Sequence, residues 1–211
     1  MHTSENLNNN GKSIDLIVFT IIISFFSLPL LKGQYFDSMI FMQSKFETGE
    51  YWRVLTHPFV HLSWYHLLLD AGAFLLLYHG LKESSRMKRI VYVAASGAGS
   101  LVFSFFTSTI VSNIGYCGLS GIAHGIMAVS ALESMQRDNS TCWKILFLVV
   151  VGKSIIEGLS GHVVFEFLHF GLMGVPVATA HAGGVLAGIT TFIVMNFISN
   201  NNSFSFAYTM K

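Results

Sequence analysis

VATAHAGGVLAGITTFIVMNFI, residues 177–198, contains no Asp, Glu, Lys or Arg, and it matches the roughly 20 mostly apolar residues that a bilayer-crossing helix needs. Five further stretches read the same way: 14–31, 59–81, 90–110, 119–133 and 143–159, the last two short. The composition agrees. The chain is 52% hydrophobic and only 11% charged, against about 25% charged in soluble domains. The expected fold is therefore an all-α integral membrane bundle of six transmembrane helices. Glycine, alanine and serine are frequent in the spans, which lets helix backbones approach closely in lipid. The net charge of +1 gives no reason to expect a nucleic-acid partner. Cys117 and Cys142 fit neither a metal spacing nor a disulfide framework and are expected to be buried apolar fillers.

Residues 1–13 are polar and lack the parts of a cleaved signal peptide, so the first stretch is expected to be retained as a span within a membrane domain covering 14–199. Residues 200–211 form a polar tail. The long loop 32–57 is too polar to cross and carries Tyr35, Phe36, Phe46, Tyr51 and Trp52, which suits an interfacial structure on the membrane surface. Lys82, Arg86, Lys88 and Arg89 follow the second span, and Arg137 and Lys144 follow the fourth, whereas 107–118 has no charge. Basic loops stay in the cytoplasm. Both termini are then cytoplasmic, with Lys32, Lys45 and Arg53 as the exceptions on the outer side. Spans two, four and six all start at the outer face, so residues near their starts share one depth.

Polar groups gather at those starts. Span two opens with His57, His61, His66 and Asp70; span four with Gly118-Leu119-Ser120-Gly121, then His124; span six with His181-Ala182-Gly183-Gly184. Ionisable residues inside spans are costly and mark functional sites. A serine between glycines at a helix N-terminus is open to substrate and lies beside backbone N–H groups able to hold an oxyanion. A histidine at the same depth supplies the base that a serine nucleophile requires. Gly184 and Gly188 form a GxxxG pair one turn below His181, which would let spans six and four touch. His66 and Asp70 are four apart and share a helix face, with His66 placed to donate to an oxyanion. His57 and His61 are expected to belong to an interhelical hydrogen-bond network instead. Lys153 and Glu157 read as a helix-stabilising i,i+4 ion pair outside the chemistry.

These residues resemble the rhomboid family. The run Trp52-Arg53-Val54-Leu55-Thr56-His57-Pro58-Phe59-Val60-His61, followed by His66 and position 70, resembles the rhomboid WR…TH…H…H…N element. Gly118-Leu119-Ser120-Gly121 resembles its GxSG, and the run from Ala180 to Gly188 its AH…G…G element. The resemblance covers about residues 50–195. It implies Ser120 as nucleophile, His181 as general base, and His66 with the Ser120 backbone N–H as oxyanion hole, with Gly118 in support and no metal or cofactor. The implied reaction is cleavage of a membrane protein near the outer edge of its membrane helix. Asp70 departs from the family's Asn. Ionised there, it would oppose an oxyanion, so it is expected to be protonated, turned away to orient His66, or replaced in function. His124 stands where many rhomboids have Tyr and is placed to stack or hydrogen-bond with His181.

The second departure resembles the rhombosortases, through Gly118-Leu119-Ser120-Gly121-Ile122-Ala123-His124-Gly125, Gly152-Lys153-Ser154-Ile155-Ile156-Glu157 and Val175-Pro176-Val177-Ala178-Thr179-Ala180-His181. That subfamily implies residence in a bacterial inner membrane and substrates with a single span and a C-terminal Gly-Gly tail. Two alternatives stay open: a rhomboid of broader substrate range, and an inactive rhomboid-like protein that binds membrane helices. An integral metal enzyme or small transporter using the histidines is disfavoured because no HExxH occurs and His57, His61 and His66 are four and five apart with no acidic base between them, and an α/β-hydrolase because Ile122 stands where GxSxG needs its second Gly. The uncharged loop 107–118 and the loop 171–179 are expected to roof the site, the second as a gate.

Overall fold

Serine hydroxyls start three of the long helices. Ser63 accepts from the His66 N–H, Ser85 from Lys88 N–H and Ser140 from Cys142 N–H, each satisfying a donor that the first helical turn leaves free. The computed structural model describes residues 2–164 and 174–209, with side chains for 11–164 and 174–199. Its long helices are α1 (His2–Ser27), α2 (Trp64–Gly80), α3 (Arg86–Thr107), α4 (Ser120–Asp138), α5 (Thr141–Ser160) and α6 (Ala178–Thr209). Among the described residues there is no β-strand, only one antiparallel bridge between Phe41 and Tyr116.

The second expected span is corrected at its start. Pro58 lies in the 3-10 turn His57–Phe59, and the chain then bends by 97° before Ser63 caps α2. His57 and His61 therefore precede the helix, while His66 and Asp70 lie on it. Among the described residues, three segments are long and apolar enough to cross a membrane: Gly11–Lys32, Arg86–Thr107 and Ala178–Ser199. The bent pair Arg53–Phe59 and Trp64–Gly80 makes a fourth. Helices α4 and α5 fall short of that test for a physical reason. Among their polar residues, Glu133, Ser134, Ser154 and Glu157 are buried in the bundle. The outward surface is apolar, with Leu68, Leu76, Phe106, Leu148 and Leu159 exposed, Leu159 at 85%. Cys142 is exposed and Cys117 only partly buried, so neither is the buried filler expected of it.

Helix α6 is the centre, with α3, α4 and α5 packed around it. Glycine makes this possible. A Cβ on Gly184 would sit 2.8 Å from the Gly121 carbonyl carbon, one on Gly188 2.8 Å from the Gly125 oxygen, and one on Gly125 2.6 Å from the Gly184 oxygen. Two small-residue stripes therefore hold α4 and α6 backbone to backbone. At the opposite end of the bundle, buried Asp15 ties α1 to its neighbours. It accepts from Tyr78 at 2.7 Å, Arg86 at 2.6 Å and Arg89 at 3.1 Å.

The first loop is ordered by Arg53, which is buried. It donates to the Glu50 carboxylate at 2.7 Å and to the carbonyls of Asp37 at 2.7 Å and Ile40 at 2.6 Å. Tyr35, Tyr51 and Trp52 are exposed on this loop, as an interfacial structure requires. Its Phe41 bridge to Tyr116 fixes the segment leading into Ser120.

Candidate active site

The α4–α6 packing brings two helix N-termini together. Ser120 is the first residue of α4 and His181 the fourth of α6. Both line a cavity of about 530 Å³, together with His66, Asp70, Cys117 and His124. No direct hydrogen bond joins Ser120 to His181 here, which is usual before substrate closes a site. The walls include 114–117 and 174–177, parts of both expected roof segments. Residues 165–173, which hold the start of the expected gate, lie outside the described residues.

His181 is buried, and its Nδ1 lies 2.7 Å from Glu157 Oε2. A carboxylate accepts and does not donate. A hydrogen therefore sits on Nδ1, and in the neutral ring Nε2 is the nitrogen that carries the lone pair. Glu157 Oε1 also accepts from Lys153 Nζ at 2.6 Å and from the Val164 N–H at 2.8 Å. The expected i,i+4 ion pair exists, but it does not exhaust Glu157, whose second oxygen reaches the histidine. Sequence reasoning missed this contact. Its signals are an acidic residue within an apolar span and the place of Glu157 in the run 152–157 that resembles the rhombosortases, but neither names the histidine as its partner.

His124 stacks on His181, with ring centroids 3.8 Å apart and planes 15° apart. Its Nδ1 lies 2.8 Å from the Ser120 carbonyl and its Nε2 2.8 Å from Lys153 Nζ. A carbonyl only accepts, so Nδ1 carries the hydrogen and Nε2 receives one from the ammonium. His124, Glu157 and His181 could hold a metal ion by spacing alone, with ligand atoms within 4.8 Å of one another. The Lys153 ammonium already fills the cation's place between two of them.

Asp70 is not turned away. Its Oδ2 accepts from the Leu119 N–H at 2.9 Å and the Ser120 N–H at 3.1 Å, and His66 Nε2 lies 3.2 Å from it. The Leu62 N–H points at His66 Nδ1 at 3.3 Å, so Nε2 holds the hydrogen and donates to Asp70. Three donors thus converge on one anionic oxygen at the N-terminus of α4. Gly118 permits this approach: its φ is +100°, and a Cβ there would lie 2.6 Å from Asp70 Oδ2 and 2.7 Å from His66 Nε2.

The remaining histidines play other parts. His57 Nδ1 bonds the Arg53 carbonyl at 3.0 Å, and its own carbonyl accepts from the Gly118 N–H at 3.0 Å. His61 Nδ1 meets the Phe59 carbonyl at 3.1 Å. His61 also reaches the helix, with its Nε2 4.0 Å from Asp70 Oδ2 and its ring edge-on to His66 at 5.1 Å, while the His57 ring packs against Tyr116 at 5.0 Å. Both bond backbone of their own segment, because the bend before α2 takes them off the helix.

A model of the Rhomboid domain matches residues 48–197. The chain is similar to two proteins called Rhomboid protease GlpG, from Yersinia pestis (strain Pestoides F) and Yersinia pseudotuberculosis serotype O:3 (strain YPIII). Each is 22% identical over 205 residues, spanning 94% of this chain and 67% of the relative. No solved structure gives a significant match.

Proposed function

This chain belongs to the rhomboid family of intramembrane serine proteases, and from that premise we propose that Ser120 is its nucleophile and His181 its general base. Ser120 Oγ attacks the substrate carbonyl carbon as His181 Nε2 takes the hydroxyl proton. The carbonyl electrons move onto oxygen, and the imidazolium then gives its proton to the departing amine. The single observation that carries this reading is the packing of Gly121 and Gly125 on Gly184 and Gly188, which puts Ser120 and His181 in one cavity.

The oxyanion is held by the Leu119 and Ser120 N–H groups and by His66 Nε2, the donors that now serve Asp70. Asp70 is the resting occupant of that hole and leaves it when substrate binds. His124 supports His181 from beneath, and Gly118 keeps the cradle open. The substrate is a single-span membrane protein with a C-terminal Gly-Gly tail, cut near the outer membrane face. The His124 stack and the GLSGxxHG sequence favour this class over a rhomboid of broader range. The protein crosses a bacterial inner membrane six times, with lipid around it and both termini cytoplasmic.

The test is co-expression in membranes of a Gly-Gly-tailed single-span substrate with the wild type, Ser120→Ala or His181→Ala. Cleavage that both substitutions abolish supports the reading. Ser120-dependent cleavage of a generic single-span substrate alone removes the Gly-Gly specificity. Co-purification without cleavage by any form leaves a binding protein.

A further inference from the structure

Glu157 sits in the last turn of α5 (Thr141–Ser160) and is fully buried. The helix dipole disfavours an anion at that end, and burying an ion pair in an apolar bundle rarely improves stability over apolar residues of the same size. A carboxylate kept in so unfavourable a place calls for a use beyond pairing with Lys153. Its geometry supplies one. Oε2 takes the hydrogen bond from His181 Nδ1 at 2.7 Å, while Oε1 is held by Lys153 and the Val164 N–H. Gly158, the next residue, lies against Ala182, the residue after His181, where a Cβ would be 3.0 Å from the alanine's. Missing bulk at that position lets α5 come close enough for the carboxylate to reach the imidazole.

We propose that Glu157 is the acid of a Ser120–His181–Glu157 triad, a positioning residue held in place by Lys153. The proposal rests on Ser120 and His181 being the reacting pair. Glu157 keeps the hydrogen on His181 Nδ1, so that Nε2 faces the cavity as a base. When Nε2 takes the Ser120 proton, the carboxylate faces the new positive charge and accepts no proton itself. Lys153 has two tasks. It fixes Oε1, and it donates to His124 Nε2, which sets the His124 tautomer and keeps that ring neutral beneath His181. A second cation stacked on His181 would oppose formation of the imidazolium.

The test is kinetic, on full-length protein in detergent or proteoliposomes, with Ser120 labelling by a fluorophosphonate as a second readout. Glu157→Gln keeps the size and an acceptor but removes the charge. The expected result is a fall in kcat on the order of 10²–10⁴-fold with little change in KM. Glu157→Asp should recover part of the rate. The double variant Lys153→Met, Glu157→Gln separates this role from ion pairing, since it leaves no unpaired ammonium. It should remain as slow as Glu157→Gln. Recovery of the wild-type rate in the double variant, or an unchanged rate in Glu157→Gln, overturns the triad. Full activity of His181→Ala would instead overturn the reacting pair itself, a different failure.

Discussion

Asp70→Asn tests whether the carboxylate competes with the reaction's own anion. Three donors converge on Asp70 Oδ2: the Leu119 and Ser120 N–H groups at 2.9 and 3.1 Å, and His66 Nε2 at 3.2 Å. Hydrogen bonds to a charged group contribute about 1.5–3 kcal/mol and neutral ones about 0.5–1.5 kcal/mol. Removing the charge therefore weakens each by about 1 kcal/mol, or roughly 3 kcal/mol over three bonds. At about 1.4 kcal/mol per tenfold, the hole becomes up to about two orders of magnitude easier to vacate. The isosteric amide also brings an N–H of its own toward the oxyanion. Ser120 labelling by a fluorophosphonate and kcat/KM on a single-span substrate should both rise, by between tenfold and a hundredfold. The resting fold should lose up to the same roughly 3 kcal/mol, read as a lower midpoint of thermal unfolding in detergent. A folded Asp70→Asn protein that labels more slowly than wild type would refute the reasoning, since Asp70 would then assist the transition state.

Gly184→Ala places a methyl 2.8 Å from the Gly121 carbonyl carbon. Two helix backbones must part, at a cost of about 1–3 kcal/mol; thermal unfolding and substrate cleavage should fall together, and unchanged activity would show that the α4–α6 contact does not set the Ser120–His181 geometry. Leu62, in the bend before α2, lines the cavity beside Gly174 and Val175. In a protein lacking Cys117 and Cys142, linking Leu62→Cys to Val175→Cys with a short bifunctional thiol reagent should abolish cleavage of a membrane-spanning substrate while a small fluorophosphonate still labels Ser120; unchanged cleavage removes the gate.

The helical membrane class was legible because lipid imposes a strong local rule, and residues 177–198 obey it. The Ser120 and His181 segments were legible for a related reason. Their chemistry is written into contiguous residues, a serine between glycines and a histidine followed by GxxxG. The structure added to the stripe on α6 only its mate on α4, Gly121 and Gly125. Span boundaries were less legible. Hydropathy runs smoothly through residues 59–63, but Pro58 and the Ser63 cap break the helix there, which removes His57 and His61 from it.

Two features belonged to tertiary structure alone. Asp70 is four residues from His66, and that spacing fits turning away as well as facing inward; the direction was decided by the Leu119 and Ser120 N–H groups, 49 and 50 residues further along the chain. Glu157 had a complete local explanation in Lys153, and only the approach of α5 to α6, through Gly158 and Ala182, puts its second oxygen against a histidine 24 residues away. Sequence patterns record what a residue does to its own helix, through a fixed repeat of 3.6 residues per turn. Which donors meet across helices depends on how closely the backbones pack, and that is settled only when the whole bundle forms.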